Sequence, residues 1–130
     1  MTSMPDVVRA TDRWLWVFRF AVSATALLLF DQAIFAGQFL SGVYGALAVH
    51  TNMSTVTVIA LFLCVIAAVL LRVRGRGPMW TIAATVGLLA VTALQTFAGY
   101  RRILALHIPL GVALIVLISW LAVWSWRSRW

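Results

Sequence analysis

The residues of this chain that could do chemistry are few. His50 and His107 are its only imidazoles, and Asp6, Asp12 and Asp31 are its only acids, because the sequence contains no Glu and no Lys. A single cysteine, Cys64, lies inside an apolar run, which excludes a disulfide framework, a thiolate cluster and dithiol catalysis within one chain. The two histidines sit in segments that repeat. Leu47-Ala-Val-His50 matches Leu104-Ala-Leu-His107, and upstream of each, Gln32-Ala-Ile-Phe-Ala-Gly37 matches Gln95-Thr-Phe-Ala-Gly99. Two imidazoles brought together from opposite sides of a helical bundle are suited to axial ligation of haem iron. A zinc site is poorly matched, since two histidines without a nearby carboxylate do not complete a tetrahedron.

The elements that must position these residues are set by composition. With 130 residues, 64% hydrophobic and 10% charged, the chain has too little polar surface to wrap one soluble core. Its net charge of +7 comes from ten Arg. They stand at the ends of long apolar runs, where membrane proteins keep them, rather than in a nucleic-acid-binding face. Residues 32–71, 77–100 and 103–126 carry no formal charge, and a further apolar stretch runs from Phe20 to Phe30. One crossing of a bilayer core takes about 20 helical residues, so the longest run must turn, and Ser41-Gly-Val-Tyr-Gly45 supplies residues that tolerate it. The reading is all-α: a polytopic four-helix transmembrane bundle forming one domain over 1–130, with helices at about 15–40, 46–71, 78–100 and 103–126, built from two parallel two-helix repeats.

Orientation follows from the arginines. Arg9, Arg13 and Arg19 precede the first helix, Arg72, Arg74 and Arg76 join the second to the third, and Arg127 and Arg129 end the chain, so only Arg101 and Arg102 fall on the other side. The positive-inside rule makes the Arg-rich side cytoplasmic, with Trp14, Trp16, Trp80, Trp124, Trp126 and Trp130 as interfacial anchors. A secretory-signal reading of the first forty residues competes, but cleavage would leave three spans and put the later loops on conflicting sides. His50 lies 22 residues before Arg72 and His107 lies 20 before Arg127, which is about 33 and 30 Å of helix. The imidazoles therefore share a level if the second and fourth helices stand diagonally across the bundle. Gly37 and Gly99 are where a porphyrin edge would find space.

The stretch Leu94-Gln95-Thr-Phe-Ala-Gly99 followed by Ile103-Leu-Ala-Leu-His107-Ile-Pro-Leu-Gly111 resembles the third-to-fourth helix region of one half of a haem A synthase. The resemblance extends over roughly Gln32 to Ser119. It implies that His50 and His107 are axial ligands of a non-covalent haem b, and that the chain is equivalent to one four-helix half of that enzyme. It departs from the family in having no second half. Leu47 also stands where the catalytic half keeps an acid, three positions before its first ligand, which argues against haem hydroxylation.

The remaining polar residues are read around that site. Asp31, 12 residues past Arg19, is about 18 Å into the bilayer, where lipid contact is costly for a carboxylate. It is expected to be uncharged, or to face the bundle and accept bonds from Thr57, Thr85 or Thr92. Asp31, Gln32 and Gln95 are candidates for a proton relay or quinone contact; structural hydrogen bonding is the plainer alternative. Arg101 and Arg102 would suit haem propionates or lipid phosphate. Tyr44 and Tyr100 are expected as belt aromatics, and Arg72-Val-Arg-Gly-Arg76 as an anchor to anionic lipid.

Two function classes stay open. One is a small bacterial membrane cytochrome or haem-handling protein, passing electrons to a quinone or redox partner protein or holding haem for it. The other is a haem-free accessory subunit or small-molecule carrier. A homo-oligomer is compatible with both; nucleic acid is not an expected partner, and nothing encodes a soluble catalytic domain.

Overall fold

A computed structural model describes residues 4–128, with side chains from Arg13 onward. Arg129 and Trp130 lie outside the described residues, as do the side chains of Arg9, Asp6 and Asp12. The chain forms four helices, α1 (Met4–Leu40), α2 (Ala46–Gly75), α3 (Trp80–Tyr100) and α4 (Leu104–Arg127). All four are long and apolar enough to cross a membrane, α1 over Arg13–Leu40. This is the expected all-α membrane bundle.

Each helix packs on its two neighbours in a closed ring: α1 on α2 and α4, and α3 on α2 and α4. The diagonal pairs, α1 with α3 and α2 with α4, do not approach within 8 Å at Cα. The helices carrying the histidines therefore face each other across the bundle axis. Two boundaries run past the expected ones for a physical reason: an apolar run marks only the lipid-crossing part of a helix. α2 continues through Arg72 and Arg74 until Arg76 turns left-handed at φ 54° and Gly77 N–H bonds back to the Leu71 carbonyl at 2.9 Å. α1 likewise begins nine residues before Arg13, at Met4.

The bundle is solid toward its Arg-rich end. Phe18, Val22, Leu61, Cys64, Leu71, Leu114, Ile118 and Leu121 form a core cluster there and at mid-height. In lipid such packing is held by close contact and by hydrogen bonds between helices, because lipid tails are as apolar as the side chains. The buried threonines mostly satisfy themselves. Thr25, Thr57, Thr85 and Thr92 each donate to the carbonyl four residues earlier, so their hydroxyls are committed within their own helices. Thr25 also meets Cys64 at 3.2 Å across the α1/α2 contact.

Arg19 contributes more than a topology signal. Its guanidinium donates from Nε to the Ser125 carbonyl at 2.8 Å and from Nη2 to the Ser128 carbonyl at 2.9 Å. A cation thus caps the carbonyl end of α4, where the helix dipole favours it. Trp16 and Trp126 lie 5.3 and 5.4 Å from the same guanidinium, within cation–π range.

Candidate functional site

Toward the opposite end the packing opens. A cavity of about 440 Å³ is lined by His50, His107, Gln32, Gln95, Gly37 and Gly99, among others. That volume falls within the range of small-molecule and cofactor pockets.

The two imidazoles meet across this space. Their ring centroids are 6.1 Å apart and their planes are inclined at 73°. His50 sits in the first turns of α2 and His107 in the first turn of α4, so the repeat in sequence becomes a repeat in position. Both rings are held in the same way. Nδ1 of His50 lies 3.0 Å from the Gln32 carbonyl oxygen, and Nδ1 of His107 lies 2.8 Å from the Gln95 carbonyl oxygen. A carbonyl can only accept, so each Nδ1 carries the proton and donates. That tautomer puts the lone pair of each ring on Nε2, which is the arrangement second-shell carbonyls impose on metal-binding histidines. His50 Nε2 has no hydrogen-bond partner among the described residues, whereas His107 Nε2 accepts from the Gln95 amide at the long distance of 3.5 Å.

Gln32 and Gln95 are therefore in place at the site through their backbone carbonyls, and Gln95 through its side-chain amide as well. Sequence reasoning considered their side-chain amides and missed the carbonyls. The signal was present in the repeated order of Gln, Gly and His, because a residue that recurs one helix before each His is placed to touch it. Gln32 Nε2 and Gln95 Oε1 are buried without a hydrogen-bond partner among the described residues.

The paired glycines differ. A Cβ on Gly99 would fall 2.8 Å from Cε1 and 2.9 Å from Nδ1 of His107, so the glycine is what lets that ring lie against α3. Space expected for a porphyrin edge at Gly99 is taken by the imidazole itself. Gly37 has nothing within 4 Å of the equivalent position, and lines the open part of the cavity. Gly111 holds the amide of Gln95, whose Nε2 would lie 2.8 Å from an added Cβ. Leu47 lines the cavity with an apolar side chain.

Asp31 departs from expectation. It is exposed on the outer face of α1 and does not line the cavity. Thr57, Thr85 and Thr92 donate to carbonyls of their own helices instead. The reason is helical phase: at 100° per residue Asp31 and the buried Gln32 point to different faces, so a relay running from Asp31 through the glutamines is not formed. Arg101 and Arg102 are exposed in the turn after Tyr100 and do not line the cavity, whereas Tyr100 does. Arg102 holds a left-handed backbone at φ 57°, with Ile103 N–H bonded to the Ala98 carbonyl at 2.8 Å, a helix end that glycine usually makes. Tyr44 and Tyr100 are 78% and 69% exposed, as belt aromatics would be.

Among the described residues, no group of three or more His, Cys, Asp or Glu comes together. The donor set is the imidazole pair alone. Two protein ligands suit an ion that brings its other ligands with it, as porphyrin iron does.

No family model matches this chain, and no curated protein or solved structure matches it either.

Proposed function

We propose that this protein is a small bacterial membrane cytochrome of b type, holding one non-covalent haem between His50 and His107 for electron transfer or haem carriage. The observation that carries the proposal is the pair of facing imidazoles, each with Nδ1 tied to a helix carbonyl and its lone pair on Nε2, where at His107 only the long 3.5 Å bond from the Gln95 amide would have to give way to iron. Haem iron bound by both imidazoles would lie between the two rings. The rings stand 6.1 Å apart. Haem so held would supply one-electron exchange with a quinone or a redox partner protein.

The chain's own part is to fix the tautomer, hold the rings at that spacing and keep lipid and water from the iron side of the imidazoles. Arg101 and Arg102 would neutralise propionates at the rim. The short segments shared with a haem A synthase half support the same reading, while Leu47 removes the acid that hydroxylation would use. The arginine distribution supports an inner-membrane protein with both termini cytoplasmic, the Arg72–Arg76 turn meeting anionic lipid.

Electron paramagnetic resonance of the haem-loaded protein tests the assignment. A low-spin ferric signal is expected, changing to high-spin or to loss of haem in His50→Ala and in His107→Ala. A signal unchanged in both variants would remove these residues from the iron, and a parent protein that takes up no haem would favour a haem-free accessory subunit or carrier.

A further inference from the structure

Each turn of α1 contributes one residue to each of two seams. The inner one, Phe18, Val22, Thr25, Leu29 and Gln32, is buried against the rest of the bundle. Its spacing alternates four and three. The outer seam follows the same rule on the far side of the helix, running from Val17 through Phe20, whose ring also meets the edge of Trp126 on α4, then Ala24, Leu27, Asp31 and Ile34 to Gln38. All seven are exposed, and the large apolar ones, Val17, Phe20, Leu27 and Ile34, are between 41% and 69% exposed. A strict alternation of three and four is the seam that packs one helix against another in a left-handed pair.

We propose that the outer seam of α1 joins two copies of this chain as a parallel dimer in the membrane, with the two-fold axis along the membrane normal. Three features select a second copy as the occupant. Asp31 is an acid on the lipid side of a span, where it is costly unless covered. It occupies the same heptad position as Ala24 and Gln38, and across a parallel two-fold axis equal positions meet. Asp31 then faces Asp31 of the other copy and Gln38 faces Gln38. Both pairs are self-complementary, since two carboxyl groups sharing a proton, like two amides, can donate and accept toward each other. Ala24 lets the backbones approach between them. Copies inserted with one topology are necessarily parallel, which is the orientation this register needs.

Among the described residues Asp31 has no ion pair or hydrogen bond, and Arg19 in the same span is engaged by the α4 carbonyls. The seam also lies away from the cavity-lining histidines, so the dimer does not depend on what the cavity holds.

Two measurements on the full-length chain in membranes test the dimer. In a Cys64→Ser background, single cysteines at Ala24, Leu27 and Ile34 should form disulfide-linked dimers on mild oxidation. Cysteines at Phe30 on the flank of α1 and at Val116 on the outside of α4 should stay monomeric. Cross-linking that is absent, or as strong at Val116 as at Leu27, overturns the proposal. Energy transfer between donor- and acceptor-labelled chains in phosphatidylcholine vesicles reads the affinity. Asp31→Leu should weaken association about tenfold, and Asp31→Asn, which keeps a donor and an acceptor, should stay within about threefold of the parent. Equal affinity of Asp31→Leu and parent overturns the proposal. So does a loss in Asp31→Asn as large as in Asp31→Leu, since the asparagine pair can still donate and accept across the two-fold axis. The helical circular dichroism of each variant separates weakened association from misfolding.

Discussion

Replacing Gly99 by Ala asks whether the His107 ring is held as tightly as the geometry implies. The new Cβ would stand 2.8 Å from Cε1 and 2.9 Å from Nδ1, so the imidazole must swing away from α3. That swing breaks the 2.8 Å bond from Nδ1 to the Gln95 carbonyl. Crowding of this kind costs about 1 to 3 kcal/mol and the lost hydrogen bond about 1 kcal/mol. Helix propensity returns about 1 kcal/mol on going from Gly to Ala. The expected result is a destabilisation of about 1 to 3 kcal/mol in a detergent unfolding titration, together with a partial change from low-spin to high-spin haem as His107 leaves its axial position. The equivalent residue in the other half supplies the control. Gly37→Ala meets nothing within 4 Å of protein, so it should be as stable as the parent or more so. A Gly99→Ala protein with unchanged stability and an unchanged low-spin spectrum would refute the reasoning, as would equal damage from Gly37→Ala.

Arg19→Ala should lower stability by roughly 2 kcal/mol, because two charge-assisted bonds to the α4 carbonyls are lost; Arg19→Lys should recover only part of this, since one ammonium does not reproduce the guanidinium fork. Arg102→Gly should raise stability by about 1 kcal/mol through relief of the left-handed backbone at φ 57°, seen as a higher Tm, while weakening haem retention if the side chain serves a propionate. For topology, a cysteine replacing the exposed Arg74 in a Cys64→Ser background should resist an impermeant thiol reagent in intact cells and react after lysis; reaction in intact cells would reverse the orientation.

The helices were legible because bilayer crossing depends on length and apolarity, and 77–100 and 103–126 display both without interruption. The facing of His50 and His107 followed from the repeat, which carries one arrangement from one half to the other. Side-chain phase was less legible. Asp31 is the sole acid in a span, and the cost of exposing it to lipid suggested an inward position; the buried face of α1 is instead set by Phe18, Val22, Leu29 and their neighbours, and one residue of offset sends Asp31 outward. The carbonyls of Gln32 and Gln95 were hidden for another reason. A backbone acceptor has no residue type, so only the geometry of the adjoining helix reveals it. Arg19 was counted for its charge, whereas its reach to α4 depends on helix order.

The central claim is that His50 and His107 hold one haem between them. The most direct measurement is the absorption spectrum, oxidised and then dithionite-reduced, of the protein purified after expression with ample haem, beside the His50→Ala, His107→Ala double variant. The parent should be red, with one haem per chain and sharp reduced bands of a low-spin b-type cytochrome, and the double variant should be colourless. A colourless parent, or equal haem content in parent and double variant, would contradict the claim.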